Sequence, residues 1–123
     1  MPTLTFEPWQ VVKVPFPYTK GPAAQWRPAL VVASLSDTGG PHILWIAMIT
    51  SAGHRRWSGD VELTALATAG LSAPSMVRLA KLASVEATLA QPLGRVTSPV
   101  QRATRRWLRG TLRVLKLDSP EVG

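Results

Sequence analysis

Residues 25–34, reading QWRPALVVAS, constrain the fold of this chain more than any other stretch. The run Ala29-Leu30-Val31-Val32-Ala33 has the length and β-branched content of a strand buried on both faces. Proline at 28 can open such a strand, but it has no amide to contribute in the middle of one. The residue before a proline is pushed towards extended geometry, so Arg27 is expected at the mouth of the strand rather than in a helix. A guanidinium held at the rim of a packed sheet is well placed to grip a phosphate.

Strand signals recur on both sides of this stretch. Residues 11–16 (VVKVPF) read as a first strand, stopped by Pro15 and Pro17. The proline- and glycine-bearing segment that follows, to Ala24, is a loop of about ten residues. That is longer than a hairpin needs, and over-long loops on small sheets tend to carry function. Residues 42–51 (HILWIAMITS) read as another buried strand ending in two hydroxyls. Residues 52–59 (AGHRRWSG) form a basic loop with Trp57, and residues 60–63 (DVEL) suit a short, half-exposed strand. One helical turn fits within 64–72. Residues 75–84 (SMVRLAKLAS) alternate around Arg78 as one strand, or two joined by a bend. Residues 89–96, with Pro92 and Gly94, read as a turn region.

The clearest local signal comes last. Ser98-Pro99-Val100-Gln101 offers an N-cap serine, a first-turn proline and a glutamine at the capping-box position. Val100, Ala103, Trp107, Leu108, Thr111, Leu112 and Leu115 then recur at helical spacing. Arg102, Arg105, Arg106, Arg109 and Arg113 take the opposite face, which reads as a solvated one. The helix is expected to close near Lys116, with Gly110 a weak point inside it. Short strands followed by a terminal helix make the fold class mainly β, a small twisted barrel or half-barrel capped by that helix. One domain accounts for residues 1–123, with its core at about 9–116.

Composition narrows the chemistry. Fourteen lysines and arginines against seven acidic residues give a net charge of +7, which favours a polyanionic partner: nucleic acid first, an acidic protein second. The absence of cysteine excludes disulfides, thiolate catalysis and cysteine–zinc sites. The N-terminus lacks the pattern of a signal peptide and no apolar run approaches a membrane span, so a cytoplasmic location is expected.

The order FPYT, RPALVV, a strand ending in ITS, DVEL, GL, SMVRLAKL and LG resembles the MazF/PemK (CcdB/PemK-like) toxins of type II toxin–antitoxin systems. The resemblance covers roughly residues 10–115 and lies in the succession of motifs rather than in any one. It implies an SH3-like barrel, a homodimer, and a metal-independent endoribonuclease without cofactor that cuts single-stranded RNA. It also implies an acidic antitoxin as partner. By position, the family's catalytic arginine falls on Arg27 and its catalytic threonine on Thr50. The loop with Thr19, Lys20 and Trp26 corresponds to a segment that clamps RNA. Ser51 follows the catalytic threonine, and Lys81 lies where members carry a polar residue near the substrate. The basic residues of the next loop, His54, Arg55 and Arg56, join them as RNA-binding candidates.

Two departures stand out. Members often carry Gly-Asp where this chain has Trp9-Gln10, and an acidic residue in the loop where Lys20 sits. RNA can be cut by its own 2′-OH, so a site must align the attack, stabilise the phosphorane and manage two proton transfers. Arg27 suits the second task, and Thr50 can donate to the same oxygens. Nothing in the sequence names the group that takes the 2′ proton. His54 is the nearby residue of a type that titrates near neutrality. Trp26 and Trp57 fit base stacking or partial burial equally well. The alternative to cleavage is a non-catalytic nucleic-acid- or protein-binding module of the same fold, which the missing loop carboxylate favours.

Overall fold

The fold is that of a computed structural model, which describes residues 5–15, 25–36 and 39–113. Six strands, β1 (Gln10–Pro15), β2 (Trp26–Leu35), β3 (Ile43–Ser51), β4 (Asp60–Leu63), β5 (Ser75–Glu86) and β6 (Gln91–Arg95), form one antiparallel sheet. Across the sheet they run β4-β5-β3-β2-β1-β6. A short helix α1 (Leu66–Ala69) follows β4, and α2 (Ser98–Leu112) closes the described chain. The expectation of a mainly β fold with a terminal helix is met.

The β-branched stretch sits near the middle of the sheet, as its apolar content requires. Ala29, Leu30 and Val31 are fully buried between β1 and β3, and alternate residues serve two cores. Val12, Val14, Ala29, Val31, Ile46 and Met48 pack on one face with Phe6. Val11, Leu30, Ala47, Ile49, Val77 and Leu79 pack on the other, beneath α2 through Val96 and Val100. A bulge between Val31 and Ala33 ends this two-sided burial, so Val32 and Ala33 are only half-buried.

Three local expectations need correcting. Residues 91–95 are a strand rather than a turn. Pro92 and Gly94 are tolerated because β6 is the edge strand, and the register on β1 slips at Val11/Val12, pairing Gly94 and Pro92 while skipping Leu93. The helix cap is Thr97, not Ser98, and makes no side-chain capping bond. Gln101 instead turns its amide to donate to the Val96 carbonyl at 3.1 Å. The helix ends at Leu112, short of Lys116, which lies outside the described residues. The single turn expected within 64–72 is α1, and β5 is one strand with a bulge where it meets Ala47 and Met48 of β3.

Trp9 explains one departure from the family pattern. Its φ is +78°, in the left-handed region that glycine enters without cost. Backbone bonds hold it there: its N–H donates to Val31 at 2.9 Å and its carbonyl accepts from Val96 at 3.0 Å. The half-buried indole packs against the core and lies under Arg105, whose guanidinium carbon is 4.9 Å from the ring centroid.

Candidate active site

The strand ladder brings the site together. Ala29 of β2 faces Met48 of β3, so two residues further along Arg27 comes into line with Thr50. The period of two puts both on the face that Ala29 and Met48 occupy. On the other side of β3, Thr50 pairs with Met76 and Ser51 with Ser75. The ends of these three strands open into a cleft of about 480 Å³, which Arg27, Thr50, Ser51, His54, Trp26 and Gln25 line together with the chain around Pro74 and Ser75. Trp26 and Arg27 are exposed, as Pro28 at the strand mouth requires, and Thr50 is half-buried.

The rim is braced from its own backbone. Ala52 N–H donates to the Pro74 carbonyl at 3.0 Å, and His54 N–H to that of Ser51 at 3.1 Å. Ser51 Oγ accepts from Gly53 N–H at 3.2 Å, which turns the chain sharply after β3. Arg27 Nη2 donates to Gln25 Oε1 at 3.4 Å, a weak contact longer than an ordinary N–H···O bond. Among the described residues the cleft lining therefore offers the guanidinium a neutral amide oxygen and no carboxylate. No group of three His, Asp or Glu side chains able to hold a metal ion occurs among the described residues.

A buried ion pair fixes the basic loop beside this cleft. Arg78 Nε and Nη2 reach Asp60 Oδ1 and Oδ2, each at 3.1 Å. Nη2 also donates to the Arg55 carbonyl at 2.6 Å, and the guanidinium stacks 3.9 Å from the centre of the Trp57 ring. Trp57 N–H closes the arrangement by donating to Asp60 Oδ2 at 2.7 Å. Burial alone would raise the Asp60 pKa. The hydrogen bonds from Arg78 and Trp57, with the charges of Arg78 and Arg56, outweigh it and hold the carboxyl below its ordinary value.

Of the residues singled out in the sequence, the fold gathers Arg27, Thr50, Trp26, Ser51 and His54 at one cleft. Arg55 and Arg56 are exposed on the adjoining loop, just outside the lining. Lys81 is exposed in the bulged segment of β5 and does not line the cleft. Thr19 and Lys20 lie outside the described residues. Trp57, half-exposed, spends one face on Arg78. Sequence reasoning missed Gln25 and Ser75 as cleft residues and Asp60–Arg78 as the brace. Gln25 stood two residues before Arg27 in the most informative stretch, whereas the ion pair spans 18 residues and leaves no local signal.

The model of the family of PemK-like, MazF-like toxins of type II toxin–antitoxin systems matches residues 7–112, from before β1 to the end of α2. The chain belongs to that family. Solved structures agree on the fold. The MazE–MazF complex (form II) from Deinococcus radiodurans is 21% identical, with a TM-score of 0.67 over 89% of this chain and 97% of that one. The Mycobacterium tuberculosis toxin MazF-mt6 is 15% identical, with a TM-score of 0.64 over 85% and 96%. A mycobacterial endoribonuclease in complex with its cognate antitoxin is also 15% identical, with a TM-score of 0.64 over 93% and 98%. No curated protein matches the chain in sequence.

Proposed function

We propose that this toxin-family protein is a metal-independent endoribonuclease that cuts single-stranded RNA at Arg27 and Thr50. The observation that carries the reading is the convergence of these two side chains, from different strands, on one open cleft. In this reading the RNA lies across the ends of β2 and β3, with the scissile phosphate on Arg27. The 2′-oxygen attacks the adjacent phosphorus, a cyclic 2′,3′-phosphate forms, and the 5′-oxygen leaves with a proton. Arg27 stabilises the charge of the pentacoordinate state with paired N–H donors, and Thr50 donates its hydroxyl to the same oxygens. Arginine keeps its proton throughout, so it acts as an electrostatic clamp rather than as a base. In this reading His54, which lines the cleft, takes the 2′ proton. Trp26, exposed beside Arg27, supplies a face on which a neighbouring base can stack.

The antitoxin complexes among the structural relatives support an antitoxin as partner, and in this reading that antitoxin is acidic and the toxin a homodimer working in the cytoplasm. A net charge of +7 suits both RNA and such a partner. The deciding experiment incubates pure protein with a long single-stranded RNA in EDTA, beside Arg27→Ala and Thr50→Val, and maps the product ends. Discrete cuts with cyclic-phosphate ends in the wild type, abolished by the first variant and reduced by the second, support the reading. Intact RNA in every lane rejects it in favour of a binding module. Equal cutting in all three removes both residues from the site.

A further inference from the structure

The exposed face of α2 has no role in the cleft, yet its charge is extreme. Arg102, Arg105, Arg106, Arg109 and Arg113 are all exposed, and the helix contains no acidic residue. Among the described residues none of the five pairs with a carboxylate, since the one ion pair there joins Arg78 to Asp60. Arg102 and Arg106, Arg105 and Arg109, and Arg109 and Arg113 stand four residues apart, a spacing at which like charges destabilise a helix by a few tenths of a kcal/mol each. Together with Gly110 these arginines line a shallow recess of about 530 Å³ that offers no apolar side chain. On one side Arg105, Arg109 and Arg113 also border an apolar groove of Trp9, Val32, Leu108 and Leu112, while the recess among the five arginines offers only charge, which is what a phosphodiester backbone takes.

The basic loop after β3 links this face to the cleft along the chain. His54 lines the cleft, and Arg55 and Arg56 follow it in the chain, both exposed. Arg56 acts electrostatically on Asp60, and Asp60 with Gly59 shares a recess with Arg106 of the helix. Trp107 seals the junction: a Cβ at Gly59 would lie 2.6 Å from its indole, so loop and helix pack in direct contact. The basic loop is fixed to the sheet by Arg78, and the helix is fixed to the loop.

We propose that the arginine face of α2 is a phosphate track for single-stranded RNA flanking the cut site, reached from the cleft over Arg55 and Arg56. The proposal rests on the endoribonuclease reading for what the cleft holds, but its own content is the extended footprint. The track contacts backbone only, so it adds affinity for long RNA without adding sequence preference.

The test compares wild type with the triple variant Arg102→Gln/Arg106→Gln/Arg109→Gln, which keeps helix propensity, on 2′-O-methyl RNA that its own 2′-oxygen cannot cut. A 30-nucleotide probe carrying the mapped site at its centre is set beside a 7-nucleotide probe of the site alone. Each phosphate contact on a single strand contributes about 0.7 to the slope of log affinity against log salt. Losing three lowers the slope on the long probe by about 2, so between 50 and 200 mM salt the wild type loses roughly 15-fold more affinity than the variant. Binding and cleavage of 7-nucleotide RNA stay within about twofold. An unchanged slope on the long probe, or an equal loss on the short one, overturns the track. So does an unchanged slope combined with lost binding to poly-L-glutamate, which would assign the face to an acidic protein. If the wild type cuts no RNA, a 30-nucleotide probe of arbitrary sequence takes the place of the mapped one, and an arginine-dependent slope on it keeps the track and rejects the nuclease. One that cuts while the variant keeps its slope does the reverse.

Discussion

Arg78 grips Asp60 through two parallel hydrogen bonds of 3.1 Å, and from the same guanidinium holds the Arg55 carbonyl and the face of Trp57. One buried side chain thus joins β4, β5 and the basic loop beside the cleft. Removing one member of a buried pair strands the other charge, at a cost of about 3–5 kcal/mol. Asp60→Asn is therefore expected to lower the unfolding free energy by an amount in that range, read as a sharp fall in the urea midpoint. Proteolytic nicking should begin within residues 52–59. A loss below about 1 kcal/mol would mean that the pair contributes little.

The same pair sets an acid limit. The folded-state pKa of Asp60 is depressed, so the folded protein holds its carboxylate charged where the unfolded chain, near pH 3.9, takes up a proton. The stabilisation is complete above about pH 5 and is lost as pH falls through the unfolded and then the folded value. Denaturant titrations between pH 6 and pH 3 should show a steeper decline in the wild type than in Asp60→Asn. Parallel declines would assign acid unfolding to other carboxylates.

Two glycines on or against α2 respond in opposite directions. Gly59 has φ +91° and a Cβ there would meet the Trp107 ring, so Gly59→Ala combines backbone strain with overpacking. A loss of about 2 kcal/mol or more is expected. A Cβ at Gly110 meets nothing within 4 Å, so Gly110→Ala should stabilise by about 0.5–1 kcal/mol through helix propensity. Melting both variants beside the wild type checks the pair of signs.

What the sequence made legible divides along the range of the interaction. β2, β3 and α2 carry their signals in consecutive residues: a β-branched run, a second apolar run, an amphipathic period. Arg27 was placed at a strand mouth by the proline beside it. β6 was misread because Pro92 and Gly94 are local turn signals, and only its position at the edge of the sheet makes them harmless. Arg78 looked like one charged residue in an alternating strand, since its partner is distant in sequence. Thr104 was left off the apolar face while Thr111 was placed on it, yet Thr104 is fully buried on the inward face of α2 and Thr111 is exposed.

Thr104 gives a prediction of its own. Its Oγ1 is buried with no hydrogen-bond partner among the described residues. An unsatisfied hydroxyl costs about 1–3 kcal/mol, and valine replaces it at the same shape. Thr104→Val should stabilise by about 1 kcal/mol. Thr104→Ser keeps the hydroxyl, removes a buried methyl and should destabilise by about the same amount. Two losses would show that the hydroxyl has found a partner, such as the carbonyl one turn back.

Gln25 tests how Arg27 is held. Relatives of this pattern are expected to carry a loop carboxylate, and this chain has Lys20 instead, with residues 16–24 free of acid. Gln25 Oε1 accepts from Arg27 Nη2 within the cleft, a neutral contact that orients the guanidinium without lowering its charge towards phosphate. A long, solvent-exposed hydrogen bond contributes at the low end of about 0.5–1.5 kcal/mol, so Gln25→Ala should slow cleavage by roughly twofold. The loss should fall on kcat while KM for RNA moves little, because Arg27 remains present and charged. Arg27→Ala, by contrast, should abolish cutting. If Gln25→Ala matches the wild type in both constants, the guanidinium is positioned by other partners, and the neutral acceptor has no part in orienting it.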